Sequence, residues 1–221
     1  DDFTQVDSSY TRACGLRLDG TVDCWGNNAG IPPAGATFTQ ISTGSNQTCG
    51  IKTTGEVACW TSNLTVEIEV PAGVFSFVSS GGDHRCGLRP SGLVECWGLN
   101  EDGQTDVPPG VFTTISAGVR STCGLRPDGT GECWGRNNYG QSDAPAGAFQ
   151  AIANDGDSHA CGLREDGTAE CWGRNLDGES TAPAGTFEQL TVGFLHSCGL
   201  RPSGEVECWG INMVNQGTPP L

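Results

Sequence analysis

The sequence predicts an all-β fold: a six-bladed β-propeller with short blades of three strands each, or four with a brief addition, and one disulfide inside each blade. Three observations predict it. A unit of Cys, nine residues and Cys-Trp recurs six times, its first cysteines 35 to 38 residues apart. Apolar residues alternate with polar or small ones over short runs bounded by Gly, Pro and Asn, and no segment shows helical spacing. With 34 glycines, 36% hydrophobic and 7% aromatic residues, no single repeat can build its own core, so the copies must cover one another.

Each copy opens on Phe-x-x-Ile or a variant, from Phe38 to Ile41, Phe75 to Val78, Phe112 to Ile115, Phe149 to Ile152 and Phe187 to Leu190, which reads as a first strand. A Gly-containing polar loop follows, then Cys-Gly-Leu-Arg or a variant as the second strand, a turn such as Pro127-Asp-Gly or Glu165-Asp-Gly, and x-Glu-Cys-Trp-Gly in most copies as the third. An Asn-containing loop and a Pro-Ala-Gly stretch lead to the next copy. The repeats run over about 1–35, 36–72, 73–109, 110–146, 147–184 and 185–221 of a single domain.

The turn sets the hairpin register. With Leu18-Asp19-Gly20 as a three-residue loop and Gly20 left-handed, Arg17 faces Thr21, Leu16 faces Val22 and Cys14 faces Cys24. Facing residues in an antiparallel ladder lie roughly 4.5 to 5.5 Å apart at Cα, within reach of a disulfide. The same count predicts Cys14–Cys24, Cys49–Cys59, Cys86–Cys96, Cys123–Cys133, Cys161–Cys171 and Cys198–Cys208. Structural zinc needs close pairs such as Cys-x-x-Cys, which this spacing does not supply. Six crosslinks imply an oxidising compartment, hence a secreted or cell-surface protein, and a start at Asp1 without an apolar leader reads as expected of a chain whose signal peptide has been removed. No run of eighteen apolar residues is present to span a membrane.

Trp beside each second Cys points to the opposite sheet face from the cysteines, so both faces require neighbouring copies. Arg89 and Glu95, Arg126 and Glu132, Arg164 and Glu170, and Arg201 and Glu207 lie diagonally across their hairpins and read as repeated scaffold ion pairs.

Segments such as His196-Ser-Cys-Gly-Leu-Arg-Pro-Ser-Gly-Glu-Val-Glu-Cys-Trp-Gly and Asn137-Asn-Tyr-Gly-Gln resemble the repeat of the regulator-of-chromosome-condensation family, which implies a β-propeller. The short period and the Pro-Ala-Gly joint are also similar to the propeller-type beta-lactamase inhibitory proteins. The resemblance covers essentially the whole chain and bears on fold, which hosts many functions. Paired cysteines are not a feature of those relatives, and six repeats stand here in place of seven. Four residues separate Pro183 from Phe187, and the same count runs from Pro220 through Leu221 to Phe3, so the ends are expected to meet in register and close a six-bladed ring.

In such a ring the loop before the first Cys and the loop after Trp share one end, and that end alone varies between copies. It carries the candidate partner-binding residues Tyr10, Arg12, Asn46, His84, Arg85, Arg120, Tyr139, His159, Phe194 and His196. His84, His159 and His196 stand two residues before a first Cys, where other copies carry Arg12, Gln47 and Ser121. They therefore read as structural hydrogen-bonding residues in the repeat before they read as a metal triad. Acidic loops such as Asn100-Glu-Asp-Gly-Gln-Thr-Asp offer oxygen ligands for calcium without the spacing of a dedicated loop; no other metal or cofactor is expected. The second repeat departs from the rest: Lys52 replaces Arg, Ala58 replaces the acid, and Asn46-Gln-Thr and Asn63-Leu-Thr are glycosylation sequons.

A net charge of -15 with eleven basic residues excludes a phosphate-binding surface, so no nucleic acid is expected as partner. No nucleophile, base and orienting acid converge, and no phosphate loop occurs, so neither an enzyme nor a small-molecule substrate is expected. The sequence favours an extracellular propeller binding a protein, for example as an enzyme inhibitor. The alternatives are a self-assembling structural subunit of a surface layer or filament, and a lectin with a pocket in every blade.

Overall fold

The structure, a computed structural model, describes residues 2–9, 11–61, 68–154 and 156–211. Among them, eighteen strands form six antiparallel three-stranded sheets, each ordered as in the chain. Blade 1 holds β1 (Phe3–Ser9), β2 (Arg12–Arg17) and β3 (Val22–Gly26); blade 2 holds β4 (Phe38–Thr43), β5 (Thr48–Lys52) and β6 (Val57–Trp60). Blade 3 holds β7 (Phe77–Ser80), β8 (His84–Leu88) and β9 (Val94–Gly98); blade 4 holds β10 (Thr114–Ala117), β11 (Ser121–Leu125) and β12 (Gly131–Gly135). Blade 5 holds β13 (Phe149–Ala153), β14 (His159–Arg164) and β15 (Ala169–Gly173); blade 6 holds β16 (Gln189–Val192), β17 (His196–Leu200) and β18 (Val206–Gly210). No helix among the described residues is long and apolar enough to cross a membrane.

The hairpin register follows the sequence count. Cys14 faces Cys24 and Leu16 faces Val22, while Arg17 N–H donates to the Thr21 carbonyl at 2.8 Å. The turn closes because Gly20 sits at φ 84°, a conformation that strains any side chain. All six disulfides lie within their blades, with Cα atoms 4.0 to 4.1 Å apart.

Blades pack in series through unlike faces. The Cys-Leu face of one blade receives the Phe-Ile-Trp face of the next: Cys14, Leu16 and Val22 against Phe38, Ile41 and Trp60, and Cys86 and Leu88 against Phe112, Ile115 and Trp134. Within a blade the Phe ring lies against its own Trp, as in Phe112 and Trp134 at 5.5 Å between centroids. The glycine after each first Cys makes room for that ring, since a Cβ on Gly124 would lie 2.6 Å from Phe112.

The repeated Arg locks this stack from outside. The Arg126 guanidinium lies 3.9 Å over the Phe112 ring, pairs with Glu132 and donates to the Val111 carbonyl in the joint at 3.2 Å. Arg89, Arg164 and Arg201 repeat all three contacts. Blade 2 has Lys52 there, 3.7 Å from Glu56 instead. The ion pairs expected across the hairpins are therefore present, and they also hold the Pro-Ala-Gly joints.

Among the described residues, the seam between blades 6 and 1 is more open to solvent than the seams between the other blades. Trp25 is 46% exposed, whereas Trp60, Trp134 and Trp172 are 5 to 7% exposed. Phe3 and Val6 of blade 1 are also open to solvent, as is Val206 of blade 6. The counted junction from Pro220 to Asp1 lies outside the described residues.

Candidate protein-binding face

The first strand of each blade is innermost. β1, β4, β7, β10 and β16 line a central cavity of about 600 Å³. Loops on both sides of each hairpin meet at one end of it. Asn27 N–H donates to the Thr11 carbonyl, Leu99 to Asp83, Arg136 to Arg120, Arg174 to Ser158 and Ile211 to Leu195, all at 2.8 to 2.9 Å. These bonds join the loop after Trp to the loop before the first Cys in five blades. At the other end Phe75 N–H donates to the carbonyl of the turn residue Gly55, and Phe112, Phe149 and Phe187 repeat the bond. The turns and the Pro-Ala-Gly joints therefore share the opposite end, which is uniform from copy to copy.

A second set of backbone bonds fixes the mouth of the cavity. Ser45 N–H donates to Gly81 O at 3.1 Å, Gly82 to Gly118 O and Val119 to Gly156 O, both at 3.2 Å. Glycine is required at this approach, because a Cβ on Gly81 would lie 2.0 Å from the Gly118 carbonyl. Loops that differ in sequence are thus held on a rigid rim.

The candidate residues divide into two groups. His84 and His159 are fully buried and are not on the face. Their Nε2 atoms bond Thr122 Oγ1 of the next blade at 2.7 Å and Ser197 Oγ of the next blade at 2.8 Å. Burial pushes each imidazole down to about 4, and Nδ1 of each has no hydrogen-bond partner among the described residues. Arg12 is likewise buried, reaching the Gly44 and Asn28 carbonyls. Arg85 is half-buried with burial drawing its guanidinium down to about 10, and His196 is half-buried. The three histidines belong to separate interfaces, and no group of three or more His, Cys, Asp or Glu among the described residues is placed to hold a metal. The acidic loops are self-satisfied: Asn100 Nδ2 donates to Asp106 at 2.7 Å, and Thr105 N–H to Asn100 Oδ1 at 2.9 Å.

The second group lies at the variable end, exposed or half-buried. Tyr139 and Phe194 are 50% and 51% exposed. Arg120 reaches Asp102 at 3.2 Å, an ion pair that raises the guanidinium, and Arg136 lies 3.5 Å from Asp157. Asn46 is exposed and its amide donates to Asp83 Oδ1 at 3.0 Å. Tyr10 and the sequon residue Asn63 lie outside the described residues. Asp83 and Arg136 are face residues that the sequence did not mark, and Asp102 stood there only within the acidic loop Asn100-Glu-Asp-Gly-Gln-Thr-Asp; Asp83 is in plain view in the loop Gly82-Asp-His-Arg, whereas Asp102 and Arg136 are recognised as face residues by their ion pairs with neighbouring loops.

Residues 3–29 and 156–179 match the family model described as Regulator of chromosome condensation (RCC1) repeat. No curated protein matches the chain in sequence. Among solved structures, the entire ectodomain of the Physcomitrella patens receptor kinase CR4 is similar over 98% of this chain, at 30% identity and a TM-score of 0.83. The chain spans 66% of that ectodomain's length. The CRINKLY WD40 ectodomain of the Arabidopsis thaliana receptor kinase ACR4 is similar over 96% of this chain and 82% of its own, at 27% identity and a TM-score of 0.79. Prp20p from Saccharomyces cerevisiae aligns over 98% of this chain and 74% of its own with a TM-score of 0.83, and at 17% identity shows the fold alone.

Proposed function

We propose that this chain, a β-propeller of RCC1-type repeats, is a secreted, non-enzymatic binding protein that recognises a protein partner with the variable end of its blades. One observation carries the reading. Six copies of a crosslinked unit are closely alike at their turn end, yet at the other end each presents different side chains, among them Tyr139, Phe194, Arg120 and Arg136. Aromatic and Arg side chains on a rigid frame are the residue types that anchor protein interfaces at low entropic cost. Six intrablade disulfides support an oxidising, extracellular setting. The two similar plant chains are ectodomains of receptor kinases, which fits the same setting. A charge of -15 favours a basic partner whose association slows as salt rises.

The reading is tested by capture from the secretome of the source with the intact oxidised chain, in parallel with Tyr139→Ala, Phe194→Ala and, as a control on the turn end, Asp128→Ala. One protein held by the parent and by the control, and bound about tenfold more weakly by the face variants, is the expected result. Equal loss in the turn-end control, or capture indifferent to all three, overturns it.

A further inference from the structure

Blade 1 carries a carboxylate at a position where no other blade has a charge. Asp7 lies opposite Cys14 in the sheet register, and the residues opposite the first Cys in blades 2 to 6 are Ser42, Ser79, Ser116, Ala153 and Thr191. A hydroxyl is enough for the bond this position makes: Ser42, Ser79 and Ser116 accept the N–H groups of Ser80, Ala117 and Asn154 in the next blade, each at 2.9 Å. Asp7 makes the same bond with one oxygen, accepting from Thr43 N–H at 2.7 Å, while its other oxygen accepts from Ser8 N–H at 2.9 Å. The charge is therefore extra to the fold.

No described residue neutralises it. Asp7 is half-buried in the wall of the central cavity of about 600 Å³, where it is the one acid among the described lining residues. All eleven Lys and Arg residues are described, and none pairs with it. Arg12, at the same end of the blade, is held by the Gly44 and Asn28 carbonyls instead. His196 also lines the cavity, and burial lowers its imidazole below the ordinary value, which leaves it neutral at pH 7. Burial raises the Asp7 carboxyl against the pull of its two backbone bonds. A carboxylate taken from water without a counter-charge gains from a cation that reaches it.

The wall beside it is short of hydrogen-bond partners. Thr43 and Ser80 line the same cavity, are 6% and 7% exposed, and their hydroxyls have no partner among the described residues. Ser42 turns to blade 3, so strand alternation turns Thr43 back to blade 1, where Asp7 is bonded to its peptide. An unused acceptor thus stands next to an unpaired carboxylate. Val6, Ala117 and Val192 supply apolar wall. One carboxylate is a poor match for a divalent metal or a polycation and a good match for a single monovalent cation that carries N–H donors.

We propose that the central cavity binds a primary ammonium group on an unbranched alkyl chain, with the Asp7 carboxylate and the Thr43 hydroxyl as its acceptors. The ammonium brings three donors on a slender stem, and its charge supplies the counter-ion that Asp7 lacks. A net charge of -15 draws such cations toward the protein. A lysine side chain of a polypeptide and a free alkylamine share this chemistry. The site lies inside the cavity and is independent of the partner proposed for the variable end.

Amide NMR of the intact oxidised chain reads the site through the N–H groups of Thr43 and Ser8, which donate to Asp7. The probes are N-acetyl-lysine N-methylamide, n-pentylamine, and N-acetyl-norleucine N-methylamide, which keeps an alkyl stem without the charge. Saturable shifts at both amides, with a Kd on the order of 1 mM, are expected for an ammonium probe and none for norleucine. Binding of the lysine amide assigns the cation to a polypeptide side chain; binding of pentylamine alone assigns it to a free amine. In Asp7→Ser, which copies blades 2 to 4 and keeps an acceptor for Thr43 N–H, affinity should fall at least about tenfold. Thr43→Val should weaken binding about threefold with no loss of stability, since the hydroxyl it removes has no bond within the protein to lose. No saturable shift with either ammonium probe, equal binding of the norleucine probe, or undiminished binding in Asp7→Ser overturns the proposal.

Discussion

Blades 1 and 4 carry the same motif and differ in what surrounds it. Phe112, Ile115 and Trp134 are sealed by blade 3, whereas Phe3, Val6 and Trp25 face solvent. The local structure is unchanged: both hairpins keep the Cys-to-Cys register, the disulfide and the Phe-Trp contact. A repeat therefore encodes its own sheet but takes half of its core from its neighbours, as in other arrays where stability is a sum of unit and interface contributions.

Removing the buried ring separates those contributions most sharply. Trp134→Ala deletes a side chain packed on Cys86, Leu88 and Phe112 and leaves the Gln104 carbonyl without its indole donor, a bond of 3.0 Å. A loss of about 3 to 5 kcal/mol in denaturant unfolding is expected. Trp25→Ala in the open blade should cost about 1 kcal/mol, since nearly half the ring is already in water. Equal costs would mean that blade 1 is sealed in solution.

The second contrast is chemical. Blades 3 and 5 bury a histidine at the position where blade 1 has Arg12 and blade 4 has Ser121. Desolvation lowers the folded-state value of His84 and His159 to about 4, with Asp83 near the first and Glu179 near the second opposing the shift. A depressed folded value means that the unfolded chain binds the proton first. The stability from keeping each imidazole neutral is complete above about 6.5 and is lost as pH falls toward about 4, up to roughly 3 kcal/mol for each group. Urea midpoints between pH 7 and 4 should drop in the parent and drop less in His84→Gln, whose amide still reaches Thr122. An unchanged slope in that variant would show that carboxylates govern the acid limb.

Crosslinks should behave alike in both blades. Replacing Cys14 and Cys24 by Ala, or Cys123 and Cys133, opens a ten-residue closure in each case. Because a disulfide acts largely on the unfolded chain, roughly 2 to 3 kcal/mol should be lost from either blade. A much larger loss in blade 4, measured by the same unfolding experiment, would locate the effect in packing of the buried sulfurs.

What the sequence made legible follows from range. Cys14 and Cys24 are joined across a single turn, so counting from Gly20 was enough to pair them, and the same holds for the Arg-Glu diagonals. The choice of the variable end was also legible, because strand alternation dictates which loops share it. The exposure of Trp25 was not: matching four-residue spacings at Pro183 and Pro220 describe the joint, whereas how much of a ring is covered depends on packing between blades far apart in sequence. The burial of His84 and His159 was only half legible. The repeat position pointed to a structural bond, but the acceptors Thr122 and Ser197 lie a whole repeat away and are recognised only when each histidine is compared with the residue before the next Cys.

Blade 2 offers the smallest contrast. It lacks the Arg keystone, and Lys52 makes no stack on Phe38, yet Phe38 is as buried as Phe112. Its joint is held another way: Thr53 N–H donates to the Thr37 carbonyl at 3.0 Å, and the two threonine hydroxyls meet at 3.1 Å. Lys52→Arg combined with Ala58→Glu would restore the pair found in blades 3 to 6. Those pairs keep about a fifth of the Arg and two-fifths of the Glu in solvent, where an ion pair is worth 1 kcal/mol or less by the usual magnitude of about 0.2 to 1. The restored Arg also competes with Thr53 for the Thr37 carbonyl. The double variant should therefore gain no more than about 0.5 kcal/mol in urea unfolding. A gain several times larger would show that the guanidinium stack on Phe, and not burial of the ring beneath it, holds each blade to its joint.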